Sequence, residues 1–463
     1  MIQKFFKIFF LFSFAVLYNS CANQLPPSGG EDDREPPKVS KIIPANNTLN
    51  YKGNSITFVF NEYVNRRSFE ESFKISPAPN GRAKYDWGGK EVEVVYEDGF
   101  KSNTTYSVVI TKELKDVNGS NALAAPLNFA FSTGSTIDKG KIEGKIFADN
   151  YDRMIVAAYT LTTDNENKIN PDTLKAAYIT QPDANGQYSL LNLPPGKYRL
   201  FAFTDDDRNY LYNKTSDKIA VLHSDAEIKD TSGKSIGNNF LFKNYSINEK
   251  SPEFLNSLKS DSLNIVYASI ENFEKAVPVD NRFYISFRNA KLSKVQIADN
   301  LTLRDSAANS NIKIVFNWIN DTLVQVFPAQ NLAKGKSYIL SLKTSALNFE
   351  RYFTTVTENQ TGTISGSVSI NDSSIIGAIK IELINKRNFF IRYSLSLNEP
   401  GAFKFEGVPE GEYTLFAFID LNNSGVYDYG KYYPYEYAEP FFVYEKDLKV
   451  KGMWTADNVL IQF

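Results

Sequence analysis

The chain has 463 residues in which Lys plus Arg (51) nearly cancels Asp plus Glu (53), so it offers no basic field for nucleic acid and no polyacidic tail for a cationic partner. One cysteine and one histidine, Cys21 and His223, exclude an intrachain disulfide and a Cys/His zinc site. The length exceeds what one core serves and points to about three or four domains, and the abundant Tyr (27) and Phe (35), many in short β-rich runs, favour an all-β protein.

Residues 1–20 read as an export signal. Lys4 and Lys7 precede an apolar run from Ile8 to Leu17 that is too short for a bilayer-spanning helix. The following Tyr18-Asn19-Ser20-Cys21 resembles a bacterial lipobox, which implies that Cys21 is lipidated and anchors the chain. Tyr18 stands where such motifs favour Leu, and ordinary signal-peptidase cleavage after Ser20-Cys21-Ala22 is the alternative. Residues 21–37, rich in Pro, Gly and acids, have nothing to bury and form a tether.

From 38 to 134 the pattern is short alternating strands. Ser55 to Phe60, Glu91 to Tyr96, Thr105 to Ile110 and Phe129 to Thr133 are separated by turn signals such as Asn118-Gly119. This is the size of an immunoglobulin-like sandwich without a Cys-Trp-Cys pin. The run Ile56 to Val64, Asn103-Thr104-Thr105-Tyr106 and Leu114 to Gly119 resemble bacterial Ig-like domains. Together with Cys21 and the tether, the segment is similar to Ig-like-domain lipoproteins of Bacteroidota. Glu62 and Asp116 are readable as a carboxylate pair, but an edge-strand charge and a turn-forming Asp are the simpler account.

Residues 135–245 start a new strand series at Lys141 and lead to the most distinctive stretch, Asn185 to Asn213. It recurs about 215 residues later, from Pro400 to Gly430, which marks a duplicated domain and not a solenoid unit. Both copies run Pro-x-Gly-x-Tyr-x-Leu-Phe-Ala-Phe and then an Asp-rich loop. This hairpin resembles the prealbumin-like or carboxypeptidase-regulatory-like β-sandwich, and the resemblance implies a module that accompanies catalytic domains without catalysing. Residues 246–358 form a connector and a divergent Ig-like domain, with strands at Phe283 to Phe287, Leu323 to Phe327, Lys334 to Leu340 and Arg351 to Thr355. Residues 359–463 form the second prealbumin-like domain. The expected architecture is therefore all-β: tandem sandwiches in which Ig-like and prealbumin-like domains alternate.

Two groups of residues are candidates for binding. The loops place oxygen side chains at calcium-loop spacing: Asp205, Asp207, Asn209 and Asn213 in one, Asp420, Asn422, Ser424 and Asp428 in the other. Position 12 is Ser216 or Lys431 and not the bidentate Glu, and loops that cap their own backbone are the competing account. The tail is rich in rings, and Tyr432, Tyr433, Tyr435 and Tyr437 either stack on a glycan or partner or close a sandwich. His223, with no Gly-x-Ser-x-Gly, reads as a surface or partly packed residue. The sequence thus predicts a non-catalytic, lipid-anchored outer-membrane protein serving as scaffold or partner-binding subunit, with no cofactor save calcium in those loops. Glycan binding is the alternative.

Overall fold

The structure is a computed structural model and describes residues 32–243, 267–287, 292–345, 348–372, 374–388, 390–446 and 448–463. The predicted signal, Cys21, most of the tether and much of the connector lie outside them. The chain is a series of β-sandwiches in two compact units, one comprising residues up to 75 with 79–136, the other 76–78 with 137–463.

In the first unit, the sheet Val39–Ile43, Ser55–Phe60, Glu91–Tyr96, Ala83–Gly88 and the sheet Phe73–Ser76, Thr105–Ile110, Leu127–Ser132 enclose one core. The alternation in Ser55–Phe60 sends Ile56, Phe58 and Phe60 inward, where they meet Phe69, Val92, Val108 and Phe131. One helix, Arg66–Ser72, interrupts the strands. Its start is written locally: the Asn65 side chain accepts the Ser68 amide, and Phe69 inserts into the core. The sequence pattern predicts only strands and turns here, because seven residues are too few to show a helical period.

Among its described residues the second unit holds three sheet pairs and one two-stranded hairpin. The third sandwich of the chain repeats features of the first. A capped helix, Lys294–Asn300, runs straight into the strand Leu301–Asp305. A tyrosine hydroxyl ties down the segment before its own strand: Tyr338 accepts the Ala333 amide at 3.0 Å, as Tyr106 accepts that of Lys101 at 2.7 Å.

The second and fourth sandwiches share one topology. In the second, Gln187–Leu193 pairs with Gly140–Phe147, and the opposite sheet runs Tyr178–Thr180, Met154–Thr160, Gly196–Thr204, Ile219–Val221. In the fourth, Ala402–Pro409 pairs with Thr361–Ser369, and the opposite sheet runs Arg392–Leu397, Ala378–Asn385, Gly411–Asp420, Phe441–Val443. The repeated Pro-x-Gly-x-Tyr is explained by one geometry. Gly196 and Gly411 open their strands at φ 155° and 157°, and the tyrosines at 198 and 413 donate back to the carbonyls of Pro194 and Pro409, at 2.6 and 2.9 Å.

Each of these two sandwiches closes by laying its last segment parallel to its first strand: Lys234–Ser235 and Phe240–Leu241 on Gly140–Phe147, and Thr455–Gln462 on Thr361–Ser369. The approach is so close that a Cβ at Gly144 or Gly366 would run into the carbonyl oxygen of Asn238 or Val459. Gly366→Ala is therefore expected to lower the midpoint of an unfolding transition in urea, at a cost of about 1–3 kcal/mol. Gly401→Ala, whose Cβ meets nothing within 4 Å, is the control that leaves it in place.

Candidate functional site

The strand Gly196–Thr204 carries apolar side chains on both faces. Tyr198, Leu200 and Ala202 enter the core of the second sandwich, while Phe201 and Phe203 point to the other side with Ile155, Ala157 and Tyr159 of the neighbouring strand. A sheet apolar on both faces needs cover on both. The outer cover comes from the loop after Gly411–Asp420 of the fourth sandwich, where Lys431–Tyr432 and Tyr435–Glu436 form a small hairpin. Tyr432 meets the ring of Tyr212 edge-on at 4.8 Å, Tyr435 meets Phe201 at 5.6 Å, and the Ala438 amide donates to the Leu222 carbonyl at 3.1 Å.

At the centre of this contact lies Arg199, 2% exposed. Its Nε and Nη2 bind the two oxygens of Asp225 at 3.0 and 2.8 Å, and its Nη1 binds the Glu166 carbonyl at 2.6 Å. The guanidinium lies 3.8 Å from the Tyr435 ring centroid, and the Tyr437 hydroxyl donates to Asp225 at 2.6 Å. Burial works against the guanidinium charge, but the Asp225 hydrogen bond and charge outweigh it, so the pKa lies above its ordinary value. Neither Arg199 nor Asp225 is marked by a motif or spacing in the sequence. The available signal was one charge inside the otherwise apolar strand from Tyr198 to Phe203.

The structure places the four candidate tyrosines unequally. Tyr432 and Tyr435 are half-buried in the contact with the second sandwich, while Tyr433 is 49% and Tyr437 44% exposed. Period-two alternation through 433, 435 and 437 does not hold, because the chain reverses at Tyr433-Pro434 and pairs Tyr432 with Tyr435.

The two Asp-rich loops have the same internal wiring. Asp205, 4% exposed, accepts the amides of Asn209 and Tyr210, and Asp420, 1% exposed, accepts those of Ser424 and Gly425. Asn209 accepts the Leu211 amide and donates to Asp207, while Asn213 accepts from Thr215. Asn422 accepts the Ser424 amide and donates to Asp428, and Ser424 Oγ donates to the Val426 carbonyl. Glu439, 3% exposed and not anticipated from the sequence, folds beside the second loop and accepts the amides of Leu421 and Asp428. Burial, with the charges of Asp420 and Asp428, raises its pKa against the pull of those amides.

Elsewhere, Asp33, Glu62 and Asp116 form the one group of three acids among the described residues that can each offer one oxygen within 4.8 Å of the others. The Asp116 carboxylate already accepts the amide and side chain of Asn121, as a turn-forming Asp does. His223 is half-buried, and burial lowers its pKa with Asp372 opposing. Among the described residues no helix is long and apolar enough to cross a membrane.

Residues 33–133 match the family described as bacterial Ig-like domain. No curated protein matches the chain. Similar solved structures include an L,D-transpeptidase from Mycobacterium smegmatis (12% identity over 36% of this chain and 76% of that one, TM-score 0.16). Another is the major pilin subunit of Bacillus cereus (10%, 70% and 99%, TM-score 0.16). A third is domains 1–6 of the surface layer protein SbsC (8%, 89% and 67%, TM-score 0.18). At these scores none supports a functional argument. The Ig-like match covers the first sandwich, and a sandwich fold does not by itself specify a function.

Burial pushes the Asp205 carboxyl up to about 6, opposed by the Asn209 amide and reinforced by Asp207 and Asp217. The folded state then holds this proton more tightly than the unfolded one, whose Asp titrates near 3.9. The contribution is complete below that value and is lost as pH rises through about 6. Asp205→Asn keeps an acceptor for the same amides, so stability relative to the variant should fall by about 1–3 kcal/mol between pH 4 and pH 7 in urea titrations. A pH-independent difference would contradict the assignment. Because backbone amides already occupy both buried carboxylates, millimolar calcium is expected to leave the unfolding midpoint unchanged, and an upward shift would reveal an ion site.

Proposed function

We propose that the chain is a non-catalytic, lipid-anchored lipoprotein of the outer membrane that serves as scaffold or partner-binding subunit of a cell-envelope protein complex. The observation that carries this reading is the joining of the two repeats. Groups that stand out as chemically interesting in the sequence, the buried Asp205 and Asp420 and the tyrosines at 432 and 435, are engaged in holding loops and sandwiches together. An exported, anchored chain of such sandwiches presents surfaces and spacing. The similarity of Cys21, the tether and residues 38–134 to Bacteroidota Ig-like-domain lipoproteins supports the same setting.

Metabolic labelling with an alkynyl palmitate analogue and membrane fractionation test the anchor. The full-length protein is expected to label and sediment with membranes, and Cys21→Ser to do neither. A protein that never labels removes the anchor. Affinity purification from solubilised membranes tests the scaffold role, for which stoichiometric co-purification of an envelope protein is the expected result.

A further inference from the structure

The hairpin that joins the repeats leaves an open cleft at its edge, with a volume of about 440 Å³. One wall is the strand Ile219–Val221 with Tyr212 and Phe242, and the other is the run from Tyr429 to Tyr433. Its chemistry is uneven in a way that selects a ligand. Four phenol rings, those of Tyr212, Tyr429, Tyr432 and Tyr433, line it. The first is buried, while Tyr433 is 49% exposed. Three lysines, Lys218, Lys243 and Lys431, stand exposed at the same cleft.

The charges at this cleft are not balanced. Lys431 is paired with Glu436 at 2.8 Å. The lining carboxylate, Asp217, is 8% exposed and turned to its own loop, where it accepts the Asn213 amide at 2.7 Å and the Ser216 hydroxyl at 3.1 Å. Lys243 has its ammonium 5.7 Å from the Tyr429 ring centroid. Among the described residues neither Lys218 nor Lys243 has a carboxylate partner. Two cations without a carboxylate partner among the described residues, beside the exposed ring of Tyr433, suit a small anion with an apolar side. The volume fits a ligand of one or two sugar rings, within the usual range for small-ligand sites.

We propose that this cleft binds a carboxylated saccharide of one or two rings. A pyranose lays its C–H face on the Tyr433 ring, its carboxylate is drawn by Lys218 and Lys243, and phenol hydroxyls of the lining serve its hydroxyl groups. An acidic peptide fits the cleft less well. Peptides commonly bind by extending a sheet edge, and the edge here is three residues long and already faces Lys431–Tyr432. The proposal is independent of the scaffold role, since a spacer protein with or without this ligand would still be a spacer.

Isothermal titration of the full-length protein tests it, with digalacturonate, dimannuronate and a hyaluronan disaccharide as probes, and galactobiose and tetraglutamate as controls. At least one acidic sugar is expected to bind in the millimolar range or tighter. Its affinity is expected to fall about fivefold or more in the Lys218→Gln, Lys243→Gln double variant and with added salt, and again in Tyr433→Ala. All three positions are exposed, so the variants should keep the wild-type unfolding midpoint, which is measured alongside. Four results overturn the proposal: no acidic sugar binding at about 10 mM, galactobiose binding equally well, tetraglutamate binding as tightly, or an unchanged affinity in the double variant.

Discussion

The second unit depends on a sheet that is apolar on both faces. Ile155, Tyr159, Phe201 and Phe203 are no part of the core beneath them, yet each is buried. Leaving them in water would forfeit about 1.5–3 kcal/mol apiece. The fourth sandwich supplies the missing cover with a hairpin of tyrosines, and so its position is set by hydrophobic burial first. Arg199 then fixes the register. A guanidinium at 2% exposure is tolerable only because Asp225 and the Glu166 carbonyl hold it, with Tyr435 and Tyr437 closing over the group. Removing one partner from such a buried pair typically costs about 3–5 kcal/mol, so the contact is specific as well as apolar.

The duplication explains how this arrangement arises from one sequence pattern. The two copies agree where the sandwich itself needs agreement: the glycine that opens the central strand, the tyrosine that ties back to a proline carbonyl, and the buried aspartate that caps the following loop. They differ where the copies meet. The position of Arg199 is Thr414 in the second copy, and the loop that follows the central strand is longer there by the tyrosine hairpin. Divergence has made one copy the receiver and the other the cover, so two like modules fit together asymmetrically.

Much of the fold was legible because it rests on local rules. Period-two runs such as Ser55–Phe60 and Glu91–Tyr96 show their inner faces directly, and the repeated Pro-x-Gly-x-Tyr marks the same turn twice. The short helices Arg66–Ser72 and Lys294–Asn300 were missed because their stability comes from a cap and one buried side chain, Phe69 or Ile297, and not from a period. The role of Asp205 and Asp420 was half legible: the spacing suggested oxygen ligands, but which donors meet those oxygens is settled by loop conformation. Glu439 reaches its loop from 19 positions beyond Asp420, and no spacing rule connects them. The partnership of Arg199 with Tyr435 and Tyr437 spans two domains and leaves no local pattern. Its traces are Arg199, the one charge between Tyr198 and Phe203, and the unbroken Leu-Phe-Ala-Phe that follows it, since a strand with water on one side would alternate.

The close parallel seating of first and last strands, which only a glycine at 144 or 366 permits, bears on how these sandwiches carry load. Where the entering strand, Gly140–Phe147, and the leaving segment, Phe240–Leu241, run side by side in the same direction, tension along the chain pulls the two in opposite senses along their shared axis. Their hydrogen bonds are then strained together in shear, whereas an antiparallel pair at the same place would open one bond at a time. In a chain under tension, those two glycines are a mechanical feature, one that unfolding forces in single-molecule stretching would register.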